Sequence, residues 1–274
     1  METSALTPEP PAKPRTTMST VDKALALLRH FSIEYPELGL SELARKAGHD
    51  KTTTLRCLTA LERNGFVEQD AVSRKYRLGL APINLARIRE HSFPVQSVLS
   101  RYTDTLARDL GETTHATLLL GETLVTATIS EPERALRVAL DPSEILPMHA
   151  TASGLAVAAH LPDAQRLALL SRSDLRAYTP RTPTQGAGVA GLLKDCQATG
   201  LARADGTYEA DVTGTAAAFF GASGQPIGAV AVAAVTHRLS PDLQTRIDAG
   251  LRQAARDITR DLGGVYPSSE RTSS

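Results

Sequence analysis

The chain has 274 residues, 42% of them hydrophobic and 22% charged, and carries no net charge, which leaves room for one large domain or two unequal ones. Zero net charge disfavours a protein that coats nucleic acid without regard to sequence, because that task usually needs a large basic excess. The longest apolar run, 227–235, has the length of a strand, well short of the ~18–20 residues that span a bilayer.

Residues 1–18 hold several prolines and no apolar core, so they read as a flexible tail and not as a signal peptide. Over 21–33, Val21, Ala24, Leu25, Leu28 and Phe31 recur at the spacing of an amphipathic helix, which YPELG then ends. Ser41 and Glu42 open a short second helix with Leu43, Ala44 and Ala47 inward, closed by Gly48. A tight turn at His49-Asp50 leads into a third helix over 51–64, with Leu55, Leu58 and Leu61 inward. After Asn64-Gly65, two short extended stretches, Phe66-Val67 and 76–78, flank a polar hairpin tip, DAVSR. Helix, helix, turn, helix and hairpin in so short a span is the layout of a winged helix-turn-helix, assigned to 19–80.

Residues 81–93 read as a linker helix. A longer helix over 93–110 follows, with Val95, Val98, Leu99, Tyr102, Leu106 and Leu110 on one side. The texture then changes to strands at 115–120, 124–129 and 136–140, and to helices at 151–160, 162–171 and 187–199. Strands at 216–220 and 227–235 flank the turn GASGQP, and a final helix runs over 241–261. This order predicts an α+β domain over 94–262, an antiparallel sheet with helices packed on it. Residues 263–274 read as a disordered tail.

A helix that enters the major groove needs small polar or cationic side chains facing outward near its N-terminus. The third helix begins Lys51-Thr52-Thr53-Thr54-Leu55-Arg56. Thr52, Thr53, Thr54 and Arg56 are the candidates for bases or nearby phosphates, and Lys51 for phosphate. In the hairpin, Arg74 and Lys75, beside Ser73, stand where a wing meets backbone phosphates. Between 41 and 80, eight basic side chains face five acidic ones, a mild local excess that permits DNA contact. A threonine-rich helix start is also what an N-cap needs, and a winged helix can dock a protein instead of DNA. Sequence-specific DNA binding separates these two readings.

Enzyme chemistry finds little support. The seven histidines show no HxxxH spacing and there is no CxxC, so no metal site is expected. Ser153 lies in TASGLA, without the GxSxG elbow of a nucleophile, and Asp195 beside Cys196 argues against a reactive thiol. No glycine-rich phosphate loop is present, so no cofactor is expected. Two cysteines, Cys57 and Cys196, suit a reducing cytoplasm.

Several stretches together resemble the IclR family of bacterial transcriptional regulators. They are VDKALALLRHFS, GLSELARKAGHDKTTTLRCLTALERNGFVEQD, RKYRLGL, MHATASGLAVAAHLP and GLARADGTYEADV, followed by TAAAFFGASGQPIGAVAVAAVTHRLS. The resemblance implies a C-terminal effector-binding domain of GAF-like topology. It also implies a dimer through the N-terminal domains, or a dimer of dimers, a palindromic double-stranded operator, and small organic or aromatic acids as effectors. Whether such a protein represses or activates stays open.

In that family the ligand lies beside the TASG segment, here Thr151, Ala152, Ser153 and Gly154, with Met148 and Ala150 just before it. Ala204, Asp205, Val212, Gly214, Ala231 and Ala233 stand on the facing strands. A turn that opens a helix, with free N–H groups at its positive end, suits a carboxylate. The chain departs from the family pattern here. Gly206-Thr207 replaces a paired acidic element, Gly214 stands where a cysteine is common, and Ala231 and Ala233 replace polar residues. These changes point to a roomier, less polar pocket, and so to an aromatic or longer aliphatic acid. Ala231 and Ala233 also read as simple core, and Ser153 as a helix cap.

Overall fold

In the computed structural model, which describes residues 19–92, 94–171 and 175–267, the chain divides into two units, 1–88 and 89–274. The expected tail at 1–18 lies outside the described residues, as do 268–274. In the first unit, α1 (Thr20–Leu28) starts at a capping box, where Ser19 and Asp22 satisfy each other's backbone N–H groups. It ends five residues earlier than its pattern predicts, because Ser32 and Tyr35 close a turn on each other. Its inward face is Ala24, Leu27 and Leu28, while Val21 and Leu25 are exposed.

The two-residue β1 (Glu37–Leu38) is too short for any periodicity to reveal. The second helix, α2 (Leu40–Ala47), stops at Gly48, whose φ of 67° is the left-handed cap that glycine adopts without strain. Then α3 (Lys51–Arg63) begins at the cap Asp50, followed by the hairpin of β2 (Val67–Gln69) and β3 (Tyr76–Leu78). The three strands pair antiparallel in the order β1-β3-β2. Leu27, Leu38, Leu43, Leu58, Val67 and Tyr76 close one core beneath them. The phase of α3 differs from the expectation. Its buried positions are Thr54, Cys57, Leu58 and Leu61, and Leu55 is 44% exposed.

No residue of α4 (Ala81–Ser92) is buried. The second unit proper begins with α5 (Val95–Leu110), whose first N–H groups at Gln96 and Ser97 are accepted by the Glu90 carboxylate at 3.0 and 2.8 Å. There follow β4 (Thr113–Leu120), β5 (Thr123–Ser130), β6 (Ile145–Leu146), α6 (Ala152–Ala159), α7 (Asp163–Leu170) and α8 (Gly186–Thr199). The last elements are β7 (Ala202–Asp205), β8 (Val212–Phe220), β9 (Pro226–Val235) and α9 (Pro241–Asp261). Among the described residues these strands form one antiparallel sheet, ordered β6-β5-β4-β9-β8-β7. One face carries α5 and α9 over Phe219, Val230 and Val232; the other carries α6 and α8 over Ala216, Ala218 and Ala231. The result is an α+β domain of the GAF-like kind, following an N-terminal winged helix-turn-helix in sequence.

Three expectations need correction. Residues 136–140 form no strand: the Val138 carbonyl accepts a 2.6 Å hydrogen bond from the Thr113 hydroxyl, and it is β6 that pairs with β5. The strand expected at 216 begins at Val212, and its partner β7 has no apolar run to announce it. The segment 263–267, expected as tail, is held in place. Gly264 and Val265 donate to the carbonyls of Thr259 and Gly221, and Tyr266 meets Phe220 edge to face at 5.0 Å.

Candidate functional site

The first surface is the outward side of α3. Lys51, Thr52, Arg56 and Thr59 are exposed, and residues three or four apart on a helix share a face, so Thr52, Arg56 and Thr59 line one stripe. The helix start is held by Asp50, whose carboxylate accepts from the Thr53 N–H at 2.8 Å and the Thr53 hydroxyl at 2.7 Å. Those bonds hold the Asp50 carboxyl below the usual carboxylate range, so it stays charged beside the positive end of α3. Replacing this cap, Asp50→Ala, is expected to cost about 0.5–2 kcal/mol of the first unit's stability, measured by urea unfolding.

The threonine run does not act as one group. Thr54 is fully buried, and its hydroxyl donates to the Asp50 carbonyl at 2.9 Å, so it has no outward face and drops out of the DNA candidates. Thr53 is half-buried and its hydroxyl serves the cap. At the hairpin tip, the Asp70 carboxylate accepts the N–H groups of Val72 and Ser73. This tight turn puts Arg74 at φ 59° and exposes Arg74 and Lys75 together. Arg77 faces acids instead, Glu68 at 2.5 Å and Glu37 at 3.6 Å.

The second site is a cavity with about 60 Å³ of accessible space, partly open to solvent, between α6 and the sheet. Thr151, Ala152 and Ser153 form one wall; Ala204, Val212, Gly214, Ala231 and Ala233 form the facing one. Gly214 matters through what it lacks: a Cβ there would stand 3.1 Å from the Cβ of Ala152. Thr151 caps α6 by accepting the Gly154 N–H at 3.1 Å. The N–H groups of Ala152 and Ser153 make no hydrogen bond to any of the described residues.

Four expected pocket residues do not line it. Met148, Ala150 and Gly154 are buried behind the wall. Asp205 points the other way, since neighbours on a strand alternate and Ala204 takes the inward place. Its carboxylate instead meets Arg181 at 3.2 Å and accepts from Thr213 at 3.0 Å. The cavity also uses residues that the sequence reading passed over: His115, Val138, Leu140, Leu146, Tyr208 and Glu209. A buried histidine in the apolar strand HATLLL was a readable signal. Leu146 comes from the two-residue β6, Val138 and Leu140 from the expected strand that does not form, and Tyr208 and Glu209 from a loop with no local pattern to mark them.

His115 is 7% exposed, and its Nε2 lies 3.2 Å from the Ser153 hydroxyl, while Nδ1 has no partner. Burial pushes the imidazole down to about 4, so it is neutral near pH 7. Glu209, at the rim, is pushed up by burial and then by Glu144. Tyr208 is raised by burial and by its hydrogen bond to Glu144. The Thr207 hydroxyl donates to the Ala150 carbonyl at 2.6 Å, which ties this rim to the TASG segment. Among the described residues, no lysine or arginine lines the cavity.

Elsewhere, burial raises the Cys196 thiol to about 12, far from a reactive thiolate. No group of histidine, cysteine and acid side chains that could hold a metal occurs among the described residues. None of their helices is long and apolar enough to cross a membrane.

Comparison with known proteins agrees with this two-part layout. Residues 20–71 match the IclR helix-turn-helix domain, and residues 90–260 match the C-terminal domain of the bacterial transcriptional regulator IclR. The chain is 30% identical over 250 residues to the glycerol operon regulatory protein of Streptomyces coelicolor, covering 90% of this chain and 97% of that one. A crystal structure of a putative IclR transcriptional regulator from a Silicibacter species superposes with a TM-score of 0.88 at 40% identity, over 93% of this chain and all of that one. An IclR homologue from Microbacterium hydrocarbonoxydans, crystallised with 4-hydroxybenzoate, shares the fold with a TM-score of 0.73 at 23% identity, over 89% and 99% of the two chains. With matches across both units, the chain belongs to the IclR family of bacterial transcriptional regulators.

Proposed function

We propose that this regulator reads a palindromic double-stranded operator as a cytoplasmic dimer, or dimer of dimers, and that a carboxylic acid in the cavity modulates its grip. The observation that carries the DNA reading is the exposed stripe of α3, with Lys51 at its start and Arg74 and Lys75 together on the hairpin tip. Thr52, Thr53 and Arg56 take the base edges or nearby phosphates; Lys51, Arg74 and Lys75 take phosphates. One recognition helix spans only a few base pairs, so two-fold pairing is what gives a usable site. Val21, Leu25, Leu80, Ile83, Leu85 and Ile88 are all at least half exposed in the first unit, apolar area suited to pairing with a second copy.

The acid reading rests on the start of α6, where unpaired N–H groups and the positive helix end favour an anion. The small side chains of Ala152, Gly214, Ala231 and Ala233 leave room for a ring or a longer chain. The 4-hydroxybenzoate complex of the Microbacterium relative fits a ligand of that size. A ligand shifts DNA binding only by its differential affinity for the two forms.

Repeated selection of bound duplexes from a random pool tests the DNA reading. It should enrich an inverted repeat with half-sites about one helical turn apart. Recovery of unrelated sequences would leave the winged helix as a protein-docking module. Calorimetry with glyoxylate, pyruvate, benzoate and 4-hydroxybenzoate tests the pocket. Tight binding of the two-carbon and three-carbon acids with no response to the aromatic ones would contradict the size argument.

A further inference from the structure

We propose that His115 receives the acid group of the effector, and that it takes up a proton from solvent as the acid enters. The inference rests on the acid reading above and says how the pocket balances the charge. Among the described residues, a carboxylate entering this cavity meets no lysine or arginine. The elements around the ring, β5, α6, β8 and β9, carry no charged side chain. The titratable groups that share the cavity with His115 are Tyr208 and Glu209 at the rim. Neither can supply positive charge. The helix end supplies about half a unit, and an ionised Glu209 would oppose the ligand.

His115 is the group that can make up the difference. Its position in the middle of β4, paired with Ala231 on β9 and Ile129 on β5, fixes the ring against the start of α6. There Nε2 already meets the Ser153 hydroxyl, and Nδ1 is buried without a partner. A protonated imidazole donates from both nitrogens. The Nε2–H then goes to the Ser153 oxygen and the Nδ1–H to a carboxylate oxygen of the ligand. Burial alone keeps the empty pocket's ring neutral, and an anion in contact with it favours the charged form. The balance is one carboxylate and one proton from water per site, which leaves the filled cavity with no added net charge. The same arrangement selects against ligands that cannot accept from Nδ1.

The sign follows by linkage. The complex holds more protons than the free protein, so affinity rises as pH falls between the free and bound values of the ring. Above pH 5.5 a carboxylic acid probe is itself ionised, so the proton comes from solvent and not from the ligand.

The experiment is calorimetric titration of the full chain with benzoate, 4-hydroxybenzoate and octanoate at pH 6.0, in buffers of different ionisation enthalpy. Uptake approaching one proton per site is expected, with affinity falling up to about tenfold per pH unit from 5.5 to 7.5. In Glu209→Gln the uptake should persist. In His115→Asn it should vanish and the pH dependence flatten, while far-ultraviolet circular dichroism stays unchanged. Binding without proton uptake by the unmodified protein overturns the inference and leaves the acid reading standing. Uptake that disappears in Glu209→Gln assigns the proton to Glu209 and overturns the role of His115. No binding by any of the acids overturns the acid reading, and this inference with it.

Discussion

Arg56→Ala is expected to weaken operator binding by about 1–3 kcal/mol, roughly five- to 150-fold, and to relax preference at one position of each half-site. Arg56 is exposed on the stripe with Thr52 and Thr59, one turn beyond the start of α3, so its removal should cost the proposed base contact without disturbing the core. Lys51→Ala should behave differently. If Lys51, at the first residue of α3, contacts phosphate as proposed, its loss should lower affinity for all sequences alike and reduce the salt slope by about one. Anisotropy titrations on an operator and a scrambled duplex at several salt concentrations separate the two. An Arg56→Ala protein with unchanged base preference would refute the assignment.

Gly154→Ala is the second large effect, and it concerns the pocket's scaffold. A Cβ at Gly154 would stand 2.5 Å from Met148 Cα and 2.6 Å from the carbonyl oxygens of Met148 and Pro147. Those are backbone atoms with no rotamer to move, so α6 must shift off the segment before it. The expected cost is about 1–3 kcal/mol, read as a melting temperature lowered by several degrees. Effector binding should weaken too, because Thr151, Ala152 and Ser153 move with the helix. Gly191→Ala in α8 is the control. Nothing lies within 4 Å of its Cβ, and alanine in a helix interior gains about 0.5–1 kcal/mol over glycine. Equal melting temperatures for the two variants would show that the close approach at Gly154 carries no strain.

The most legible elements were those whose signals are local. The final helix expected over 241–261 matches α9 at its observed bounds, where Ser240 caps its start and Pro241 takes its first position. Gly48, Gly111 and Gly200 each mark a helix end by a left-handed φ. What failed needed tertiary information. Thr54 reads as polar and outward, but its methyl suits the core and its hydroxyl finds the Asp50 carbonyl. Ala-Arg-Ala-Asp alternates correctly for β7 without enough apolar content to stand out.

The pocket was half legible for the same reason. Its TASG wall and the alanine-rich strands were read from motif blocks, whereas the rim at 138–146 and 206–211 is brought there by irregular chain and the two-residue β6. Asp205 was misread by a single alternation. His115 was visible as a polar residue in an apolar run, but its neighbour Ser153 is 38 positions away in sequence, and only the packing of α6 on the sheet brings the two together.

A nuclease footprint of the full chain on the DNA flanking its own gene, at two salt concentrations, tests the central claim most directly. Sequence-specific regulation predicts a protected inverted repeat that survives the higher salt and changes in extent or affinity when a bound acid is added. Diffuse protection that the higher salt abolishes, with no change on adding acid, would contradict it, because contacts to phosphate alone account for that pattern.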